Sequence, residues 1–420
     1  MIRNSTKAVN RRRFLVGGAQ LLAGSSLAGA ASAGASQAAT APISHDDPSG
    51  RRRHSVIVTG NEPYGLPSRH ENHVARQGFR QISGTAESSV SLTPLHDLSG
   101  ALTPNGVFFE HCHGGCPDID PASHALVIHG LVGRPAVLSL AEIERMPCVD
   151  RICFTECAAN GSLPSDRDQI GGVRFMRGML GCAQWTGVTL RVLFEHVGLR
   201  PNAKWLIAES VDAAATRYAL PIEKALDDVM IAYAQNGERL RPRQGYPLRL
   251  VVPGWEGRAW VKWLRRLEVD DHFRSVAPGD SAGVHPPVQE VNSVITSPSP
   301  EKPLGGAGAH TIRGLAWSGK GRIERVEVST DGGVSWIMVP LQEPVLPKAL
   351  TRFYLPWRWD GDPVLMLSRA IDETGDIQPT MEQWRAARGF NSGNLSNSPI
   401  YHNNSIVTWS IDRAGSVECI

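Results

Sequence analysis

Arg249-Leu250-Val251-Val252-Pro253-Gly254-Trp255-Glu256-Gly257-Arg258-Ala259-Trp260-Val261-Lys262-Trp263-Leu264 decides how this chain is read. It runs as an apolar strand, a Gly-rich bend and a second strand. Cations stand at Arg249, Arg258 and Lys262, around backbone that the glycines leave open. That arrangement suits a phosphate or another anion. A basic solvated hairpin accounts for the same residues equally well on pattern alone.

Upstream, Ile152-Cys153-Phe154-Thr155-Glu156-Cys157-Ala158-Ala159-Asn160-Gly161 ends a β run with a cysteine at its mouth, followed by small residues. A metal-binding thiolate needs an accessible sulfur and close backbone approach, and small neighbours allow both. Spacing alone favours a packing cysteine. His111-Cys112-His113 and Cys116 invite a zinc reading, but four ligands within six residues are too cramped for the usual loop spacings.

Between these segments the pattern mixes strands and helices. His124–Gly130, Arg151–Thr155 and Lys204–Ala208 read as strands. Ser139, three residues before Glu142, opens a helix as a capping box. Leu190, Leu193, Phe194 and Val197 form one helix face. Pro221 suits the first position of a helix through Leu226. Together they predict an α+β domain over 99–275. A Pro- and Gly-rich joint runs from about Ala277 to Pro300. Beyond it Ile323–Ser329 alternates, Asp331-Gly332-Gly333 turns, and Trp336–Val339 returns. Val364–Leu367 and Ser405–Trp409 look like further strands. Short strands with frequent turns predict an immunoglobulin-like β-sandwich over 288–414.

The N-terminus places Arg11-Arg12-Arg13 before Phe14-Leu15-Val16 and a weakly apolar stretch rich in Ala, Gly and Ser. It reads as a twin-arginine signal peptide over 1–38, with Ala31-Ser32-Ala33 and Ala28-Gly29-Ala30 as competing cleavage sites, and so predicts export of the folded chain to the periplasm. No stretch carries the roughly 20 strongly apolar residues of a spanning helix. An arm over 39–98 is polar and is expected to add little core. At 41% hydrophobic, the remainder can bury a substantial core. A net charge of +2 is too small to imply nucleic acid or an anionic membrane as partner. Seven cysteines include no Cys-x-x-Cys-His, so no c-type haem is expected in this chain.

Taken together, Cys157-Ala158-x-Asn160 and Gly245-x-Pro247-x-Arg249-x-Val251-Val252-Pro253-Gly254-x-x-Gly257-x-x-x-Val261-Lys262-Trp263-Leu264 resemble the sulfite oxidase family of molybdopterin enzymes. Ala316-Trp317-Ser318-Gly319, Val328–Gly333 and Gln378-Pro379 extend the resemblance through a second domain, over about Leu102 to Ser410. Cys157-Ala158-Ala159-Asn160-Gly161, Gln244-Gly245-Tyr246-Pro247, Trp255-Glu256-Gly257, Ser293–Pro300 and Tyr401-His402-Asn403-Asn404 are similar to one branch, the molybdenum subunits of sulfane dehydrogenases of the Sox system. The resemblance implies a sulfite-oxidase-type molybdopterin domain followed by the sandwich as a dimerisation domain. It implies one molybdenum–molybdopterin per subunit, with Cys157 as the single protein ligand to the metal. His113, Asn160, Asp212, Gln244, Arg249, Arg258 and Lys262 are the implied cofactor-binding residues, and His111 joins Cys157 at the reacting centre.

The implied chemistry is oxidation of sulfur by oxygen transfer, from a carrier-bound sulfane sulfur to a sulfonate. The implied partners are a c-type cytochrome acceptor, the sulfur-carrier protein, and a second copy of the chain or a heterotetramer with the cytochrome. A cytochrome-linked sulfite dehydrogenase, or a divergent paralogue of altered substrate, is the competing reading. Two arginines that the family places around an anionic substrate are here His111 and Ser162, which favours a substrate less anionic than sulfite. A tyrosine that the family carries after the Val-Lys-Trp-Leu strand is missing, since none occurs between Trp263 and Thr296.

Overall fold

The computed structural model describes residues 45–46, 52–53, 68–80, 87–160, 172–274, 288–389 and 402–420. The expected signal peptide, Gly161, Ser162, Tyr401 and residues 277–287 of the expected joint lie outside the described residues. The chain divides into two units. In the first, over 1–66, His45–Asp46 pairs antiparallel with Arg52–Arg53. The second, over 67–420, holds both predicted domains.

The first domain is α+β and rests on two sheets. One orders Arg217–Pro221, Trp205–Ser210, Leu264–Asp270, Ala125–Gly130 and Ala136–Ser139. Leu264–Asp270 and Ala125–Gly130 pair parallel, while the other neighbours are antiparallel. The other sheet runs from Val149–Glu156 through Leu180–Thr189 to Met230–Gln235, which also pairs with Arg249–Val251. Arg249–Val251 is buried throughout, Arg249 included.

The short helices follow the sequence. In Leu190–Val197 the four apolar positions are the buried ones, Thr189 accepts from the Val192 amide, and Gly198 at φ 74° ends the helix. Burying such side chains contributes roughly 1.5–3 kcal/mol each. The Ser139/Glu142 capping box is formed. The helix expected from Ile222 to Leu226 forms over Ile222–Asp227, with Pro221 as its N-cap and not its first helical residue.

Three expectations need correction. The polar arm supplies core after all, through Leu92 and Leu95. Gln77–Arg80 and Ser89–Leu92 join Glu110–Cys112 in a three-stranded sheet. Within the joint, Asn292–Ser297 is a buried strand paired with Gly308–Trp317. Its polar residues hid it, yet they are satisfied inside: Gln378 donates to Asn292 Oδ1 (3.1 Å) and accepts from Ser293 Oγ (2.6 Å). The last predicted strand starts later, at Thr408–Ile411.

The second domain is the predicted sandwich of two antiparallel sheets. Asn292–Ser297, Gly308–Trp317, Thr351–Trp359 and Leu341–Gln342 form one. Ile337–Val339, Ile323–Ser329, Val364–Asp372, Thr408–Ile411 and Val417–Cys419 form the other. Val326, Val328, Trp317, Phe353, Trp359, Met366 and Trp409 fill the space between them. The domains meet backbone to backbone. Gly254, at φ 78°, lies so close to Gly319 that a Cβ there would be 2.2 Å from its carbonyl oxygen. Gln289 stitches the seam, donating to Gly254 O and accepting from the Gly319 amide, both at 2.8 Å.

Candidate active site around Cys157

Cys157 follows directly on Val149–Glu156, where the strand ends and a turn begins. Its amide donates to Met179 O (3.0 Å), and its carbonyl accepts from the Asn160 amide (2.9 Å). The residue is half-buried. Burial pushes the thiol up to about 11, with Glu256 and Glu156 adding to it and Lys262 opposing. His111, on the strand Glu110–Cys112, places Nδ1 3.4 Å from the Cys157 sulfur. Its ring packs against His113, centroids 4.2 Å apart. Burial, His113 and Lys262 together bring His111 down to about 4. His113 is lowered as well, first by burial and then by Lys262, with Asp212 opposing.

Lys262 reaches the same strand from below. Its Nζ donates to His111 O (2.8 Å) and Arg243 O (3.1 Å), and lies 3.2 Å from Cys112 Sγ. The next residue, Trp263, adopts φ 51°, a region costly for a bulky side chain. Its indole N–H donates to Pro242 O (2.8 Å), and its ring lies 4.3 Å from Lys262 Nζ. Arg249 is buried between the rings of Trp185 and Trp260, at 5.0 and 5.5 Å. It donates to Gln244 O (3.2 Å) and Oε1 (3.0 Å), while its Nε is buried with no partner. Burial brings this guanidinium down to about 9.

Neither Lys262 nor Arg249 makes an ion pair with a carboxylate among the described residues. Two desolvated cations short of an anion, one with an orphaned N–H, fit a negatively charged group. The thiol fits a soft metal, whose charge would displace its proton. The residues present therefore suit an anionic, sulfur-liganded metal cofactor.

The chain's relatives agree. The family model described as "Oxidoreductase molybdopterin binding domain" matches residues 113–276, and "Mo-co oxidoreductase dimerisation domain" matches 287–407. Sulfite oxidase of Gallus gallus is 31% identical over 313 residues, covering 66% of this chain and 68% of that protein. The chain belongs to the sulfite oxidase family. The crystal structure of the sulfane dehydrogenase SoxCD from Paracoccus pantotrophus superposes with a TM-score of 0.81 at 42% identity, covering 88% of this chain and 95% of that one. NADH nitrate reductase of Ulva prolifera is 30% identical, covering 68% of this chain but 39% of its own length.

Within this sulfite oxidase fold, Cys157, His111, His113 and Lys262 come together, and Gln244 and Arg249 form the buried layer behind them. Gln244 Nε2 donates to Phe109 O (2.8 Å), which ties that layer to the histidine strand. Asp212 faces His113 and accepts from the Thr216 amide (3.3 Å). Arg258 is half-exposed, paired with Glu256 (2.8 Å) and stacked over Tyr218. Asn160 sits behind the cysteine turn. Its amide turns inward, donating to Glu156 Oε1 (2.8 Å) and Arg177 O (3.2 Å) and accepting from the Met179 amide (3.1 Å). It braces the cysteine turn from behind.

Sequence reasoning missed Glu156. It is fully buried one residue before Cys157, and it meets Trp317 and His402 from the sandwich domain. A carboxylate closing the strand just before Cys157, after the apolar Ile152-Cys153-Phe154, was the available signal. Its partners, 161 and 246 residues away, left no local trace.

Proposed function

We propose that this chain oxidises sulfur by molybdenum-dependent oxygen transfer, with Cys157 as the protein ligand to the metal. The observation that carries the reading is the sulfur of half-buried Cys157 facing His111, beside cations that lack a carboxylate partner among the described residues. Molybdenum held by one pterin supplies two-electron oxygen transfer when bound. Lys262 and Arg249, backed by Gln244, would take the anionic pterin group, with His113, Asp212 and the half-exposed Arg258 at the rim. Asn160 would act through the cysteine turn.

The substrate is a sulfane sulfur carried on a cysteine of a carrier protein and oxidised to a sulfonate. Support comes from His111, 3.4 Å from Cys157 where the resemblance expects an arginine. A guanidinium grips a sulfite oxyanion with two parallel donors, and an imidazole cannot. The likeness to the Paracoccus sulfane dehydrogenase points the same way. Electrons pass to a c-type cytochrome, in keeping with the lack of Cys-x-x-Cys-His in this chain. The twin-arginine pattern supports a periplasmic setting. Among the described residues no helix is long and apolar enough to cross a membrane. Ile337 and Met338 on an edge strand of the sandwich, and Val334 in the turn before it, are exposed, which supports pairing of two copies, or assembly with the cytochrome, through this domain.

Elemental analysis and steady-state kinetics test the reading. Protein from a cofactor-competent host should hold one molybdenum per chain. It should turn over carrier-bound sulfane far better than sulfite, with cytochrome c as acceptor. Cys157→Ser should abolish turnover and keep the fold. Turnover retained in Cys157→Ser would refute the ligand assignment. A low-micromolar KM for sulfite in the unaltered enzyme would favour the sulfite dehydrogenase reading instead.

A further inference from the structure

The residue before the proposed ligand is gripped from the other domain at three points. The Trp317 indole N–H donates to Glu156 Oε2 (2.8 Å), and His402 Nε2 lies 3.2 Å from the same oxygen. Gln289 Nε2 donates to the Glu156 carbonyl (3.2 Å). The second carboxylate oxygen takes Asn160 Nδ2 at 2.8 Å, and Asn160 in turn holds the Met179 amide that follows the turn. His402 is itself anchored. Its Nδ1 is 3.7 Å from Glu290, which pairs with Arg388, and its carbonyl accepts from the Trp384 indole at 3.1 Å. All of these groups except Glu290 and Arg388 are buried, and Glu156 is fully so.

An apolar residue at 156 would fill this space without three polar side-chain partners. A buried carboxylate satisfied from two domains costs desolvation, and it repays that cost only through fixed geometry. The carboxylate holds the Asn160 side-chain amide, and Gln289 holds the Glu156 carbonyl, so the two fixed points lie on either side of Cys157. On the far side, Gly257 packs so tightly that a Cβ would sit 2.9 Å from the Glu156 carbonyl oxygen. The cysteine turn is thus clamped between the Gly257 bend and the sandwich domain.

We propose that Glu156, Trp317 and His402 form an interdomain brace that positions the Cys157 sulfur, so that the sandwich domain is a working part of the metal site. Glu156, Trp317 and His402 are positioning residues in this scheme, since none touches the sulfur. The proposal rests on Cys157 being the metal thiolate, and the experiment below keeps the two ideas separable.

The full-length chain is prepared from molybdenum-starved and molybdenum-sufficient cultures, in four forms: unaltered, Trp317→Phe, His402→Gln and Lys348→Gln. Trp317→Phe keeps an aromatic ring in the core and removes the N–H donor, together with part of the buried indole volume. Lys348→Gln is the control, because it breaks a different interdomain ion pair, to Asp228, and leaves Glu156 alone. In starved protein, iodoacetamide labelling of Cys157 is measured by mass spectrometry against the exposed Cys148 in the same molecule. Loss of one brace contact should raise the Cys157 rate about fivefold for Trp317→Phe and more for His402→Gln. Lys348→Gln should leave it within about twofold of the unaltered chain, as expected for a site outside the contact network. In loaded protein, the Mo(V) paramagnetic resonance signal should shift or split in both brace variants and match the unaltered enzyme in the control. Unchanged labelling and spectrum in Trp317→Phe would overturn the brace. So would an equal labelling rise in Lys348→Gln, which would mark general loosening between domains. An unaltered chain without molybdenum would sink the functional reading, while the labelling ratio would still decide the brace.

Discussion

Replacing Arg249 by methionine should have opposite effects on the empty and the loaded protein. The guanidinium is buried between Trp185 and Trp260 and is brought down to about 9 by burial. That corresponds to a penalty of about 4–5 kcal/mol on its charged form, as an order of magnitude. At neutral pH it stays charged, so the empty fold carries the penalty. Methionine keeps the apolar stem between the indoles and removes the charge. The losses are the bonds to Gln244, roughly 1–3 kcal/mol if Gln244 Oε1 is left unpaired, and about 1 kcal/mol of cation–π contact. The empty Arg249→Met protein should therefore be as stable as the unaltered chain or about 1–2 kcal/mol more so. Once an anionic cofactor is present, the same change removes its counter-charge. Molybdenum content should then fall at least about tenfold, the scale of about 1.4 kcal/mol in binding. Urea unfolding of protein from starved and sufficient cultures, with metal analysis of the latter, reads both effects. A loss of several kcal/mol in the empty form together with unchanged molybdenum would refute the reasoning, for Arg249 would then be a packing residue with no anion to serve.

Two further outcomes follow from named contacts. Gly257→Ala should lower molybdenum content and activity several-fold with only a modest effect on unfolding, because the new Cβ meets the Glu156 carbonyl at 2.9 Å and displaces the cysteine turn; normal loading in that variant would show that the bend has slack. The pH dependence of stability should carry the signature of His402, whose pKa is pushed up to about 9 because Glu156 and Glu290 outweigh the effect of burial. A folded-state pKa above the unfolded one means that this stability is full below about 6.5, the unfolded value, and is lost as pH rises through about 9. The groups facing His402 are Glu156 from the strand, Glu290 from the domain seam and Glu256 from the bend, with Arg388 paired to Glu290. Urea midpoints measured from pH 6 to 10 should fall less steeply in His402→Gln, and identical slopes would count against a charged His402.

Local order was legible wherever the signal was local. The face of Leu190–Val197, the capping box at Ser139 and the Ile323–Ser329 hairpin each depend on residues within a turn or two of one another. The strand Asn292–Ser297 was not, because its buried Asn and Ser look like loop residues until Gln378 arrives to satisfy them. Leu92 and Leu95 were passed over because their surroundings are polar and their partners distant. At the site, chemistry-bearing side chains could be named from motifs, and the structure brings Cys157, His111, His113 and Lys262 together. What Asn160 and Glu156 do could not be read, since an inward-turned amide and a carboxylate shared across domains are settled by tertiary packing alone.

The place of Leu264–Asp270 in its sheet has a consequence for how the molecule is made. That strand lies in the middle, with the hairpin Ala125–Ser139 on one side and the hairpin Trp205–Pro221 on the other. Each hairpin can form early from its own neighbours, but they cannot be joined until the chain has been synthesised through Asp270. Lys262 and Trp263 arrive with the joining strand. The cation pocket is therefore among the last features to assemble, after a loop closure that spans more than half of the domain. A nascent chain stopped short of that strand can display Cys157 and His111, yet it has no enclosed place for an anion, so cofactor insertion must wait for a nearly complete domain.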